Sequence, residues 1–257
     1  QRRRNQSAGG LMKLLIDAGN TRIKWQLRDT GQVVCSGAGL LESDQLFEGI
    51  TPGHWRKLSS VAVSTVRSET ARHDLESTIA RYTCLPVRFF WTREKFGSLT
   101  CAYEDASTMG ADRWHALVGA WDMIAGACVV VDAGSAITLD WIDENGGHLG
   151  GYILPGRDMM LASLRQSTAR VLFDDSQATI NTTPGRSTAE CVFHGVSWLI
   201  QSLASELGRQ AEIPVLVTGG DGPLIKKALD NAGPDSVAVF RLCPGLVLDG
   251  LALVEAE

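Results

Sequence analysis

The chain has 257 residues, a formal net charge of −5 and a hydrophobic share of 44%. This length allows one large domain or two of moderate size, and the acidic balance gives no general attraction to nucleic acid or to an anionic membrane. No apolar run approaches the roughly 20 residues that a membrane-spanning helix needs. The six cysteines form no CxxC pair, which predicts reduced thiols in a cytoplasmic protein.

Residues 1–11 are polar and rich in glycine at their end, and the apolar pattern of a folded chain begins at Met12. We interpret them as a disordered leader or a cloning remnant. The run from Arg2 to Arg4 offers an alternative, a nucleic-acid contact, which the acidic balance of the whole chain disfavours.

The first half begins with apolar runs separated by short turns. In chain order we predict strands over 14–17, 23–27, 33–36 and 60–64, a helix over 69–82, a strand over 87–91, a long loop over 94–109 and a helix over 110–125. Gly126 ends that helix. A long loop inside a compact domain is often functional.

The second half repeats this order. We predict strands over 128–131, 137–142 and 149–154, a helix that opens at 155–156 and continues through Leu164, a helix over 188–207, a strand over 215–218, a helix over 224–229 and a closing helix over 244–254. Asn145, Gly146 and Gly147 form a hairpin signal. The repetition predicts two domains, 12–126 and 127–257.

Two short segments carry the same motif. LLIDAGNTRI covers 14–23 and VVVDAGSAIT covers 129–138, so an apolar run ends in Asp-Ala-Gly at Asp17 and again at Asp132. Glycine at such a turn lets a backbone approach a ligand closely, and Lys24 follows as a point charge for a phosphate. The duplication favours two halves that close on a phosphate and its metal ion over two plain hairpins.

Three further segments leave functional and structural interpretations open. Gly110 to Arg113 begin a helix, where Asp112 is either a proton acceptor or an acid favoured by the helix dipole. The adjacent glycines Gly150 and Gly151 indicate either close approach of a ligand or a bend in a strand. The glycine-rich turn over 218–222 follows a strand, as in many nucleotide sites, but it is also an ordinary connection to a helix.

Together these segments resemble the type III pantothenate kinase family, which belongs to the acetate and sugar kinase/Hsp70/actin superfamily. The resemblance rests on DAGNTRIK at 17–24, YEDASTMGADR at 103–113, DAGSAIT at 132–138 and GGYILPG at 150–156. It implies an α/β fold of duplicated ribonuclease H-like (actin-like ATPase) domains, each a mixed β-sheet with flanking helices. It also implies a cytoplasmic homodimer that phosphorylates pantothenate with ATP and Mg²⁺, without nucleic-acid or membrane partners.

Site residues follow from the resemblance position by position. The implied ATP contacts are Asp17, Ala18, Gly19, Asn20, Thr21, Arg22, Ile23, Lys24 and Ser135. The implied pantothenate contacts are Tyr103, Gly110, Ala111, Asp112, Arg113 and Thr188. Among these, Asp112 is the implied proton acceptor, and Asp132 would bind a monovalent cation, K⁺ or NH₄⁺.

The chain departs from the family pattern at a few positions. Ser135 replaces a usual Thr, Ala106 a usual Pro and Met109 a usual Leu, while Phe193 and His194 replace a pair that is usually small. Two other functions compete with pantothenate phosphorylation. One is a kinase of the same superfamily with another small acceptor, and the other is a catalytically silent regulator such as a transcription accessory factor.

Overall fold

The structure is a computed structural model that describes residues 12–167, 171–209, 213–230 and 239–257. The leader predicted over 1–11 lies outside these residues. Within the described ranges, no helix is both long and apolar enough to cross a membrane.

Twelve strands and seven α-helices are described. The strands are β1 (Met12–Ala18), β2 (Ile23–Asp29), β3 (Gln32–Gly39), β4 (Leu58–Thr65), β5 (Val87–Phe90), β6 (Lys95–Phe96), β7 (Leu99–Thr100), β8 (Cys128–Ala133), β9 (Ala136–Ile142), β10 (His148–Pro155), β11 (Val215–Thr218) and β12 (Phe240–Leu242). The helices are α1 (Pro52–Lys57), α2 (Glu69–Ala80), α3 (Ala111–Ile124), α4 (Arg157–Ser167), α5 (Thr188–Arg209), α6 (Gly222–Asp230) and α7 (Leu246–Ala256). Short 3-10 turns cover Ala106–Thr108 and Asp175–Gln177.

The two main sheets have the same topology. The first has the strand order β3-β2-β1-β4-β5 and the second has the order β10-β9-β8-β11-β12. In each, the first three strands in chain order pair antiparallel and the last two run parallel to the central strand. The predicted duplication of mixed sheets with flanking helices is therefore confirmed.

The chain packs into two compact units that interleave along the sequence. Of the described residues, one unit comprises 12–96, 105–119 and 247–257, and the other comprises 97–104, 120–167, 171–209, 213–230 and 239–246. Helix α7 belongs to the first unit because Gly250 lies against the backbone of α3, where a Cβ atom would be 1.8 Å from the carbonyl oxygen of His115. The division of the duplication near residue 126 remains a prediction.

Local signals explain most element boundaries. Thr51 and Ser68 cap α1 and α2 with their side chains, as short hydroxyl residues do at helix starts. The predicted hairpin turn before β10 is present, with Gly146 at a φ of 87°. The loop predicted over 94–109 instead contains the two-stranded hairpin β6–β7 and a 3-10 turn, while α1 and β12 were not predicted.

Candidate active site

The first Asp-Ala-Gly segment forms a strand, a tight turn and a second strand. Asp17 pairs with Lys24 and Ala18 pairs with Ile23 at the end of the β1–β2 ladder. Asp17 is 8% exposed, whereas Asn20, Thr21 and Arg22 are exposed. The sequence therefore places a buried carboxylate and a basic residue at the base of a turn whose tip is open to solvent.

A segment after β4 holds this turn in place. The hydroxyl of Thr65 donates to the carbonyl oxygen of Ala18 at 3.1 Å. The guanidinium of Arg67 donates from Nε to the carbonyl of Gly19 at 2.7 Å and from Nη2 to that of Asn20 at 3.1 Å. The Arg67 amide in turn donates to the Thr65 hydroxyl at 3.0 Å. Sequence reasoning missed Thr65 and Arg67, because no local motif predicts a contact between residues 47 positions apart.

Helix α3 presents the predicted proton acceptor in its first turn. The carbonyl of Gly110 accepts from the Trp114 amide at 3.1 Å, so Gly110 occupies the capping position. The carboxylate of Asp112 accepts from the Arg113 amide at 2.7 Å, and Arg113 itself is buried. A carboxylate is favoured at this end of a helix by the free amide groups and the dipole.

Gly110 also lies against the segment 65–67, which holds the β1–β2 turn. A Cβ atom there would be 3.4 Å from Cγ1 of Val66 and 2.6 Å from Oδ1 of Asp112. Val66 stands between Thr65 and Arg67 in the sequence. The segment 65–67 therefore lies against both the β1–β2 turn and the start of α3, and all of these residues belong to the same unit.

A second link inside this unit joins α3 to β4. Nδ1 of His115 lies 2.7 Å from the Ser64 hydroxyl, and Ser64 pairs with Asp17 in the β1–β4 ladder. Burial, with a smaller contribution from the charge of Arg93, lowers the pKa of His115 to about 3. His115 is therefore neutral near pH 7.

The second Asp-Ala-Gly segment lies in the other unit, where backbone groups of two later segments contact it. Asp132 pairs with Thr218 in the parallel β8–β11 ladder, and it is half-buried while Ser135 is exposed. The amide of Gly156 donates to the Ser135 carbonyl at 3.0 Å, and the amide of Asp221 donates to the Ala133 carbonyl at 2.8 Å. The starts of α4 and α6 thus lie against this turn.

Two glycines permit this close packing. A Cβ atom at Gly156 would be 2.4 Å from the carbonyl oxygens of Gly134 and Ser135, and one at Gly219 would be 2.5 Å from Oδ1 of Asp132. Gly219 also has a φ of 92°, a conformation that glycine adopts at little cost. The turn over 218–222, which the sequence left open, is therefore packed on the Asp132 turn.

Asp221 adds a second carboxyl group to this region. Burial raises its pKa, the nearby negative charge of Asp158 raises it further, and Arg157 opposes the shift. Within the described ranges, no group of three or more histidine, cysteine, aspartate or glutamate side chains is arranged to hold a metal ion. The donor chemistry beside Asp132 is a carboxylate among backbone carbonyls, which suits a hard cation.

Tyr103 is supported by a buried pair that sequence reasoning missed. Its ring stacks on His148 with centroids 6.4 Å apart. Nδ1 of His148 accepts from the Ala102 amide at 3.3 Å, so the proton of the neutral ring is on Nε2, which donates to Oδ1 of Asp140 at 2.9 Å. Both side chains of the pair are at most 2% exposed. They belong, with Tyr103, to the second unit.

Thr188 is the first residue of α5 and is exposed. Ser187 caps the helix, since its carbonyl accepts from Cys191 at 2.9 Å and its hydroxyl from Glu190 at 3.2 Å. His194 fixes the preceding segment by donating from Nδ1 to the Thr183 carbonyl at 2.7 Å, and its Nε2 lies 3.0 Å from the Thr179 hydroxyl.

Comparison with known proteins adds independent findings. The sequence profile of a family described as type III pantothenate kinase matches residues 13–210. A type III pantothenate kinase of Marinobacter nauticus is 41% identical over 244 residues, which is 93% of this chain and 96% of that protein.

Two solved structures share the fold at low sequence identity. A Campylobacter jejuni protein described as a Baf family transcriptional activator aligns with a TM-score of 0.58 at 23% identity, over 95% of this chain and 98% of that chain. A Sinorhizobium meliloti protein described as a 2-dehydro-3-deoxygalactonokinase aligns with a TM-score of 0.56 at 15% identity, over 95% and 96%. These alignments confirm the predicted kinase-type fold.

Proposed function

The chain belongs to the type III pantothenate kinase family, and we propose that it transfers the γ-phosphoryl group of ATP to the primary hydroxyl of pantothenate. The products are ADP and 4′-phosphopantothenate, in the first step of coenzyme A biosynthesis. The observation that supports the assignment of residues is that the segment 65–67 contacts both the β1–β2 turn and Gly110, two residues before Asp112.

We assign the ATP contacts to residues 17–24 and to Ser135. The exposed tip of the β1–β2 turn offers backbone amides and short polar side chains, and Lys24 supplies positive charge to the phosphates. Asp17, buried at the base of the turn, would hold Mg²⁺. When bound, the metal ion would neutralise the negative charge that phosphoryl transfer spreads over the phosphate oxygens.

We assign the pantothenate contacts to Tyr103, Gly110 to Arg113 and Thr188. Asp112 would orient the primary hydroxyl and accept its proton as the oxygen attacks phosphorus, and Arg113 would hold the carboxylate of pantothenate. The bond from the Arg113 amide fixes the carboxylate of Asp112. Because phosphoryl transfer depends mainly on position and charge neutralisation, this fixed geometry is the chief contribution of α3.

We further propose that Asp132 takes part in binding a monovalent cation, K⁺ or NH₄⁺. The half-buried carboxylate of Asp132 and the carbonyl oxygen of Ala133 both lie close to Gly219, and the backbone amide of Asp221 donates to that same carbonyl. Such oxygen-rich surroundings favour a hard cation over a soft one. The use of ATP supports a cytoplasmic location.

A homodimer is the proposed assembly. Strand β10 is an edge of the second sheet, and its exposed apolar side chains include Tyr152 at 64% and Ile153 at 63%. Long apolar edge strands are usually covered, because they otherwise pair with other chains. A second copy of this chain would cover them, and a mass of twice the 27.7 kDa chain in light scattering is the expected result.

A coupled ADP-release assay tests the reaction. We expect pantothenate-dependent release of ADP that is faster with K⁺ or NH₄⁺ than with Na⁺ alone. Asp112→Asn should fold normally and lose about 10²–10⁴-fold in kcat, the usual loss for an oriented proton acceptor. Asp122→Asn, on an exposed part of the same helix, is the matched control and should retain kcat.

Two results would contradict the proposal in different ways. Near wild-type kcat in Asp112→Asn would remove Asp112 from the role of proton acceptor. If the folded wild-type protein releases no ADP in the presence of pantothenate, the function of a catalytically silent regulator is favoured. If it releases ADP with another small acceptor instead, it is a different kinase of the superfamily.

A further inference from the structure

We infer that Arg67 is a positioning residue for ATP, acting through the backbone of the β1–β2 turn. This inference rests on the proposed function of that turn. The guanidinium donates to two consecutive carbonyls, those of Gly19 and Asn20, at 2.7 and 3.1 Å. A planar guanidinium with donors in a fixed fork is suited to holding two acceptors in one orientation.

The direction of these carbonyls fixes the direction of the next two amides. Each peptide unit of the turn is trans, so its C=O and N–H groups point to opposite sides of the chain. Because Arg67 holds the carbonyls of Gly19 and Asn20, the N–H groups of Asn20 and Thr21 point away from Arg67. Successive amides that point to one side form an anion-binding surface.

Neighbouring contacts make the position of Arg67 itself well determined. Its amide donates to the Thr65 hydroxyl, which donates onward to the Ala18 carbonyl. Three successive carbonyls, of Ala18, Gly19 and Asn20, are therefore held from the segment 65–67. Val66 in the same segment lies against Gly110 at the start of α3, so a shift of Arg67 would also move the start of α3.

Charge adds to this geometric effect. Within the described ranges, the contacts of Arg67 are with carbonyl oxygens and with the Thr65 hydroxyl, and no carboxylate forms an ion pair with it. No side chain among the residues that the structure describes therefore neutralises its positive charge. A half-buried arginine behind the turn raises the local potential for the phosphates on the other side.

The test measures nucleotide and pantothenate constants separately in Arg67→Ala and Arg67→Lys. We expect Arg67→Ala to raise KM for ATP, and Kd for a non-hydrolysable ATP analogue, by about ten- to a hundredfold, as expected for loss of charge-assisted hydrogen bonds. KM for pantothenate should change by less than about threefold, because Arg67 reaches the start of α3 only indirectly, through its neighbour Val66. Arg67→Lys, with charge but without the fork, should lie between Arg67→Ala and wild type.

Arg81→Lys and Arg81→Ala are the matched controls. Arg81 is an exposed arginine of the same unit that contacts the carbonyl of Thr78 and the carboxylate of Asp44, away from the turn. These variants should leave both constants unchanged. They separate loss of an arginine in general from loss of the two contacts that hold the turn.

Three outcomes would overturn the inference. The first is that Arg67→Ala changes KM for ATP and KM for pantothenate by the same factor. The second is that a folded Arg67→Ala binds the ATP analogue as tightly as wild type. If Arg67→Ala does not fold, the third is that Arg67→Lys has the same constants as wild type. Binding of the ATP analogue is measured without pantothenate, so it tests Arg67 even where the wild-type protein fails to phosphorylate pantothenate. Failure of the inference is thus distinguishable from failure of the proposed function.

Discussion

Replacing Gly110 by alanine should impair catalysis while leaving stability nearly unchanged. An added Cβ atom would be 2.6 Å from Oδ1 of Asp112, so the carboxylate must move by roughly 0.8 Å to reach an ordinary contact. The carboxylate would weaken its 2.7 Å bond from the Arg113 amide as it moves. Misplacement of a reacting group by about 1 Å can cost 10²-fold in rate, so we expect kcat to fall by about ten- to a hundredfold.

The stability effect should be small for two opposing reasons. Gly110 is outside the left-handed region, so alanine adopts its backbone conformation and gains about 0.4–1 kcal/mol from the unfolded chain. Alanine is a poorer helix cap than glycine, which offsets part of this gain. The displaced atom belongs to a side chain, not to the backbone, and it can therefore move.

Steady-state ADP release and thermal unfolding of the same preparations check this prediction. Gly195→Ala, within α5 and with open space at its Cβ position, is the control for glycine replacement itself. KM for ATP should remain unchanged in Gly110→Ala. A kcat within twofold of wild type would refute the argument that this glycine is required for the position of the Asp112 carboxylate.

Two further predictions concern stability. The pKa of His115 is about 3 in the folded protein and 6.5 in its ordinary state, so the unfolded chain binds an extra proton between these values and stability falls as pH falls. Between pH 7 and pH 4.5, the free energy of unfolding measured with denaturant should fall less for His115→Asn than for wild type. Equal decreases in the two proteins would contradict this prediction. Gly151→Ala would place a Cβ atom 2.0 Å from the Leu139 carbonyl oxygen and should cost more than about 2 kcal/mol. Gly31→Ala, at a φ of 86° with open space, should cost only about 1 kcal/mol, and a larger cost there than at Gly151 would show that backbone crowding is not decisive.

Periodicity and turn residues were sufficient to predict the duplicated sheets. The apolar runs that end at Asp17 and Asp132 became the central strands β1 and β8, because buried central strands are nearly continuous apolar segments. Short elements gave weaker signals. Strand β12 has only three residues, two of them exposed, and α1 has only Trp55 buried, so neither has a periodicity that a sequence window can detect.

Support residues were less predictable than the residues that they support. Asp17 and Asp112 stand in motifs, whereas Arg67 follows a strand with no pattern beyond the helix cap at Ser68. Its contacts are with backbone carbonyls 47 and 48 positions away. A carbonyl acceptor exists at every residue, so no side-chain type at the partner positions marks such a contact in the sequence.

The adjacent glycines Gly150 and Gly151 illustrate the same difficulty from another side. Sequence reasoning left ligand approach and a bend in the strand as alternatives, and the two residues have separate physical causes. Gly150 has a φ of 104° beside a register shift in the β9–β10 ladder, as in a β-bulge. A Cβ atom at Gly151 would be 2.4 Å from Oδ1 of Asp140.

The close approach of Gly151 to Asp140 affects the loop that contains Tyr103, and no ligand is needed for this effect. Oδ1 of Asp140 accepts from His148, whose other ring nitrogen accepts from the Ala102 amide and whose face stacks on Tyr103. The absence of a side chain at Gly151 therefore leaves room for the carboxylate that fixes the tautomer of His148. This glycine acts through Asp140 and His148, so its role depends on three contacts that join β9, β10 and the loop before α3. None of these contacts can be predicted from the sequence, because the residues that form them lie in different elements.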